Sequence, residues 1–239
     1  MTACRVHDLV RDYGSLRALA GISFAVEPGE IFGLIGPNGS GKTTTLRIIS
    51  TLLKPTSGSV EVFGIDVAAR PDEVRKLLSY LPEDAGAYKS LSGLDYLRFM
   101  ATFYTPNTKG RDEMVERART LCGLGDRLKD KVKTYSKGMA RKLLLARALM
   151  VEPKLAILDE PTSGLDVSAS MEIRNQIREF ARQGTTVLLS SHNMLEVEFL
   201  SGRVALIKSG SIIETGTPDD LKAKHGCRNL EEVFLSVER

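Results

Sequence analysis

Gly36-Pro37-Asn38-Gly39-Ser40-Gly41-Lys42-Thr43 is the stretch on which the reading of this chain turns. It matches G-x-x-x-x-G-K-[ST] at every fixed position. It follows the apolar run Ile31–Ile35 and opens a segment, residues 42–50, that reads as a helix. Glycine at 36, 39 and 41 lets the backbone wrap closely around a phosphate, so that successive N–H groups point at its oxygens. The start of the helix adds a partial positive charge. In such a loop Lys42 reaches the β- and γ-phosphates and the Thr43 hydroxyl ligates Mg²⁺. The predicted nucleotide-binding set is therefore Gly36, Pro37, Asn38, Gly39, Ser40, Gly41, Lys42, Thr43 and Thr44.

A second signal lies far downstream of the loop. Leu155-Ala156-Ile157-Leu158-Asp159-Glu160 is an apolar strand that ends in two acids. Neighbouring side chains on a strand point to opposite sides, so the two carboxylates serve different purposes. Asp159 suits the Mg²⁺ shell, and Glu160 suits polarising the water that attacks the γ-phosphate. Loop and acids together predict a nucleoside triphosphatase.

Around these motifs the chain reads as one α/β unit. Short β segments are expected at 5–10, 22–26, 31–35 and 60–63, and a short helix at 71–78. From about 84 to 150 the spacing turns helical: Leu94, Leu97, Phe99, Met100 and Phe103, then Met114, Val115, Ala118 and Leu121, with Gly123 as a stop. The α/β pattern resumes with a strand at 155–158, a helix at 167–182 and a strand at 186–189. Segments 204–207 and 212–214 flank Lys208-Ser209-Gly210, a hairpin signal. The expected organisation is a single domain over 1–239, with a core of 1–83 and 151–239 and an inserted helical subdomain at about 84–150.

Composition narrows the class. Thirty-three Lys plus Arg against 30 Asp plus Glu leave a net charge of +3, which gives no global pull toward nucleic acid. The cluster Arg127, Lys129, Lys131, Lys133, Lys137, Arg141 and Lys142 reads as a solvated surface rather than a nucleic-acid patch. Cys4, Cys122 and Cys227 lie far apart and form no CxxC or Cys/His cluster, which speaks against a disulfide framework or a zinc site; Cys122 reads as a small core residue. Residues 1–10 lack the order of a signal peptide, and no apolar run approaches the ~20 residues of a spanning helix.

Further motifs carry a family resemblance. Tyr135-Ser136-Lys137-Gly138-Met139 is similar to the LSGGQ signature of the ABC ATPases. Pro161-Thr162-Ser163-Gly164-Leu165-Asp166 resembles that family's D-loop, and Ser190-Ser191-His192 its histidine switch. Tyr13 matches the aromatic that stacks on adenine, and Glu83, in Tyr80-Leu81-Pro82-Glu83, occupies the Q-loop position. The resemblance covers nearly the whole chain, and the order of motifs is more specific than any one of them.

It implies the P-loop ABC ATPase fold: a mixed core sheet flanked by helices, an N-terminal antiparallel β region and the inserted helical subdomain. It also implies hydrolysis of Mg·ATP with Lys42, Glu160 and His192 as catalytic residues and Thr43, Glu83 and Asp159 around the metal. Two ATPase subunits, identical or different, close head to tail, and Ser136 with Gly138 bind the nucleotide held by the partner. Integral membrane permease subunits receive the resulting motion, which puts the chain in the cytoplasm on the inner face of the cell membrane. The acidic Glu83 and the Tyr-Ser-Lys-Gly-Met signature are similar to ATPases of bacterial and archaeal exporters for drugs, sodium or polysaccharides. The chain ends soon after Phe234, without the long regulatory tail of some relatives. Departures are Glu83 for glutamine, Lys137 and Met139 in the signature, and Ala140-Arg141-Lys142, where a glutamine is frequent. A soluble ABC ATPase of an assembly complex, such as iron–sulfur cluster building, shares the same motifs, and a non-enzymatic scaffold conflicts with Lys42, Glu160 and His192.

Overall fold

The computed structural model describes residues 2–237; Met1, Glu238 and Arg239 of the expected domain lie outside the described residues. Two sheets organise the chain. The first is antiparallel, in the order β2-β1-β4-β5, built from β1 (Cys4–Tyr13), β2 (Leu16–Val26), β4 (Ser57–Val62) and β5 (Ile65–Asp66). The second has six strands: β3 (Ile31–Ile35), β6 (Leu78–Leu81), β7 (Leu155–Asp159), β8 (Thr186–Ser191), β9 (Arg203–Lys208) and β10 (Ser211–Gly216). Their order is β10-β9-β3-β8-β7-β6, parallel throughout except for β10. The central β3, β7 and β8 are buried at every position, which is why they read as continuous apolar runs rather than alternating ones.

Helices fill the two faces. α1 (Lys42–Ile49) is wedged between the sheets, where Leu46, Ile48 and Ile49 pack with Val6, Leu9 and Ile22 on one side and Phe32, Leu34 and Leu188 on the other. Stacked rings of Phe24 and Phe32, 5.5 Å apart, join the sheets directly. Between β6 and β7 the chain forms α3 (Gly93–Ala101), α4 (Thr108–Cys122) and α5 (Lys137–Leu149), all packed on the opposite core together with α6 (Val167–Arg182) and α7 (Met194–Leu200). α6 has the expected limits. The Asp166 carboxylate accepts from Ala169 N–H to cap it, and Ile173, Ile177 and Phe180 form its buried stripe.

Three expectations change. β1 and β2 run several residues past the predicted 5–10 and 22–26, because their charged ends, Arg11-Asp12 and Arg17, still pair across the ladder. The helix predicted at 71–78 stops after Arg75, as α2 (Pro71–Arg75), and residues 78–81 become strand β6. Parallel pairing of Leu78–Leu81 with Leu155–Leu158 outweighs the local preference for helix. α7 and the C-terminal helices α8 (Pro218–His225) and α9 (Leu230–Val237) had no predicted counterpart. No described helix is long and apolar enough to cross a membrane.

Strand register decides where a ligand can sit. Ile35 lies opposite Ser191, Asp159 opposite Ser190 and Leu81 opposite Leu158. The segments leaving the C-terminal ends of β3, β8, β7 and β6 therefore emerge side by side, the usual place for a ligand in a parallel sheet.

Candidate active site

The loop from Gly36 to Gly41 is shaped by close contacts that only glycine permits. A Cβ at Gly36 would lie 2.1 Å from the Ile207 carbonyl oxygen. At Gly41, with φ of +112°, it would lie 2.7 Å from Leu19 Cδ2 and 2.9 Å from the Ala18 carbonyl oxygen. Gly41 is the N-cap of α1 and offers no side chain, so the first-turn N–H groups are left for an anion. Ser40 Oγ is buried and makes no hydrogen bond in the chain. Two N–H groups of the loop are spent within the chain, Gly36 on the Ser191 carbonyl (3.4 Å) and Ser40 on the Pro37 carbonyl (3.2 Å), so a phosphate would be met by those of the remaining loop and of the first helical turn.

Lys42 lies inside this loop, 6% exposed. Its Nζ donates to the carbonyls of Gly36 (2.8 Å) and Pro37 (3.2 Å) and stands 3.8 Å from Glu160 Oε1. Burial draws its pKa down, against the opposing charges of Glu160, Asp159 and Glu83.

The two acids after β7 diverge, as strand alternation predicts, but Glu160 goes further. It has left the strand and adopts φ of +48°, a left-handed conformation unusual for a side-chain-bearing residue. Asp159 accepts hydrogen bonds from Tyr80 Oη (3.3 Å) and the Ser190 hydroxyl. Burial, with the Asp159 charge beside it, pushes the Tyr80 phenol above its usual range, so the phenol stays a donor. Glu160 Oε1 lies 2.8 Å from His192 Nδ1, and Glu160 Oε2 accepts from Ser191 Oγ at 3.3 Å. A lysine, an imidazole and a hydroxyl thus surround one carboxylate at the end of three adjacent strands.

Tyr13, Asn38, Gly39, Gly41, Lys42, Thr43, Thr44, Glu83 and Glu160 line a common cavity of about 250 Å³. Tyr13 stands at its rim, 43% exposed, with the Arg11 guanidinium 4.7 Å from its ring centroid. Asp159 and His192 adjoin the cavity through Glu160. Ser136 and Gly138 are not brought to it. Ser136 caps α5, its Oγ accepting from Met139 N–H at 3.2 Å, and Gly138 faces Ala169. Among the described residues no three His, Cys, Asp or Glu side chains group closely enough to hold a metal alone. Thr43 and Glu83 line the cavity and Asp159 adjoins it, so the chain offers few oxygen donors there, the kind of set that suits Mg²⁺ when phosphate and water complete its shell.

The ABC transporter family model matches residues 19–163, from β2 to the turn after Glu160. This chain belongs to the ABC transporter family. It is 37% identical to the daunorubicin/doxorubicin resistance ATP-binding protein DrrA of Streptomyces peucetius over 228 residues, 95% of this chain and 69% of that one. It is 34% identical to the linearmycin resistance ATP-binding protein LnrL of Bacillus subtilis, covering 97% of this chain and 75% of that one. A solved ATP-binding subunit of an ABC transporter superposes with a TM-score of 0.88 at 30% identity over the whole of both chains. As an ABC transporter ATPase, the chain binds ATP and hydrolyses it.

This ABC ATPase also holds site residues that the sequence did not single out. Tyr80, Ser190 and Ser191, quoted above only as parts of the Q-loop and histidine-switch stretches, orient the two acids through their hydroxyls. Glu196 on α7 is 6% exposed and accepts a hydrogen bond from Thr162 of the D-loop. The solvated basic cluster needs correction at two positions. Arg141 is buried, 8% exposed, and Lys142 is largely covered and paired with Glu172.

Proposed function

We propose that this chain powers export across the cell membrane as one of a head-to-tail pair of ATPase subunits bound to separate membrane permeases. The observation that carries the chemical part is the Glu160 carboxylate, held by His192 and Ser191 beside Lys42 at the mouth of the phosphate loop. Glu160 takes a proton from the water as its oxygen attacks the γ-phosphorus, and the bond to the β–γ bridging oxygen breaks to release ADP. Lys42 neutralises charge on the phosphates, and His192 Nδ1 fixes the orientation of Glu160. Thr43, Asp159 and Glu83 would hold Mg²⁺, which would supply charge neutralisation to the phosphates. Adenine stacks on the face of Tyr13 away from Arg11. Ser136 and Gly138 meet the nucleotide of the partner subunit, which accounts for their distance from their own loop.

Export is favoured over import by Glu83 and the Tyr-Ser-Lys-Gly-Met signature, and by relatives named for drug resistance. These relatives also leave the assembly-complex alternative without support. A membrane partner suits the helical region at 84–150, taken as a separate moving lobe. Tyr88, Phe99 and Phe103 there form an exposed ladder of edge-on rings 5.6 and 5.1 Å apart, the kind of aromatic patch that anchors a protein interface. The test is a pull-down from native membranes with Glu160→Gln and Mg·ATP. Recovery of a multi-span membrane protein is the expected result, and recovery of soluble partners alone would reject the transporter reading.

A further inference from the structure

The helical region sends one buried cation to the backbone of the site's acids. The Arg141 guanidinium has five N–H groups, and the structure gives them five main-chain carbonyls. Nε donates to Pro161 (2.8 Å), Nη1 to Pro82 (3.2 Å) and Glu83 (3.3 Å), and Nη2 to Asp159 (2.9 Å) and Glu160 (2.7 Å). The acceptors belong to two separate segments, the loop that leaves β6 and the turn that leaves β7. Only a planar fork can serve both at once; a lysine ammonium offers three donors from a single point.

The two segments carry the site's acids. Glu83 and Glu160 both line the nucleotide cavity, and Glu83 Oε1 accepts from Ser163 Oγ (3.3 Å), three residues beyond Glu160. Arg141 itself lies on α5, whose first turn is the Ser136-Lys137-Gly138 signature. A displacement of α5 therefore pulls on the backbone at both acids. The charges of Asp159, Glu83 and Glu160 favour the guanidinium, while burial opposes it.

We infer that Arg141 is a positioning residue that ties the placement of Glu83 and Glu160 to α5, so that a displacement of the helical region is passed to both acids. The inference rests on the proposed roles of those two acids in metal binding and hydrolysis.

Arg141→Lys and Arg141→Gln in the full chain test it by two independent readouts. The first is amide hydrogen exchange without nucleotide. Release of the tie speeds exchange in segments 83–87 and 160–164 together, by about tenfold, while β3 and β8 keep wild-type protection. The second is kinetic. Turnover falls by about 30-fold and the Mg²⁺ concentration for half-activation rises by about fivefold, with KM for ATP within about threefold of wild type. Lysine, which keeps the charge, does not restore turnover. The inference is overturned if exchange rises in one segment alone or in neither, or if it rises throughout the chain in both variants. Wild-type turnover and metal dependence in Arg141→Lys would overturn it equally. A Glu160→Gln protein that retained turnover would reject the assignment of the base while leaving the exchange result intact, so the two failures are separable.

Discussion

Gly36→Ala is the sharpest test of how the phosphate loop is built. A methyl group at this position would sit 2.1 Å from the Ile207 carbonyl oxygen and 2.8 Å from Ser40 Oγ. The first of these is backbone in β9, paired with β3 and β10, and cannot swing aside. An ordinary carbon–oxygen contact is about 3.3 Å, so the start of the loop has to move by about 1 Å. A misplacement of that size in a positioning element costs on the order of 10²-fold in kcat/KM, which corresponds to about 2.7 kcal/mol of transition-state stabilisation. Overpacking adds about 1–3 kcal/mol of lost stability. Gly29→Ala is the control. Unlike Gly36, Gly29 has positive φ, +78°, and nothing lies within 4 Å of its added Cβ, so it loses about 1–2 kcal/mol of stability through backbone strain and keeps its turnover. Thermal melting, fluorescent-nucleotide binding and phosphate release separate the two effects. A folded Gly36→Ala protein with affinity and kcat/KM within about threefold of wild type would refute the reasoning.

Three other substitutions probe the rest of the site. Glu160→Gln keeps the size of the side chain but removes the base; steady-state phosphate release should fall by about 10²–10⁴-fold while ATP binding is retained. Tyr13→Ala should weaken ATP binding by about 1–3 kcal/mol, the range for loss of one base–aromatic stack, with little change in melting temperature because the ring is already half exposed. Glu196→Gln is read by melting temperature against pH. Burial raises the Glu196 carboxyl above its ordinary range, only partly offset by the hydrogen bond from Thr162, so the fold favours the protonated form. That contribution is full below the unfolded value of about 4.3 and is lost as pH rises through the folded value. The glutamine variant should melt above wild type at pH 8, with a difference that shrinks toward pH 4; a constant difference would exclude the linkage.

What could be read from sequence was whatever depends on a continuous stretch. β3, its loop and α1 form one uninterrupted motif, and β7 with its two acids is another. α6 announced its limits through a capping Asp166 and an apolar stripe at 173, 177 and 180. What escaped notice depends on partners far away in the chain. Residues 78–81 become a strand because residues 155–158 offer an edge, and nothing near Leu78 says so. Arg141 sits among lysines and arginines that face solvent, and its sequence neighbourhood is indistinguishable from theirs. Only the fold, by packing α5 against the ends of β6 and β7, turns Arg141 inward and covers Lys142 beside it. Glu196 was silent for the same reason, since its partner Thr162 lies 34 residues away on another turn.

The environments of Asp159 and Glu160 argue for dividing their roles, although the two are adjacent in sequence. Asp159 is buried, and its side-chain hydrogen bonds come from a phenol and a serine hydroxyl, neutral groups that orient the carboxylate, while Lys42 and Arg141 act on its charge without pairing with it directly. A divalent cation is the partner that such a carboxylate favours. Glu160 faces Lys42 and the His192 imidazole, two nitrogen-bearing side chains within reach of the same oxygen. Its charge is already answered from within the chain, so it has less call for a cation than Asp159 does. The separation follows from register. Asp159 lies in line with Ser190 on the neighbouring strand, while the left-handed turn at Glu160 carries the next side chain over to Ser191 and His192. An insertion of one residue in β8 ahead of Leu189 would set Leu189 opposite Asp159 and take from that acid the hydroxyl that orients it.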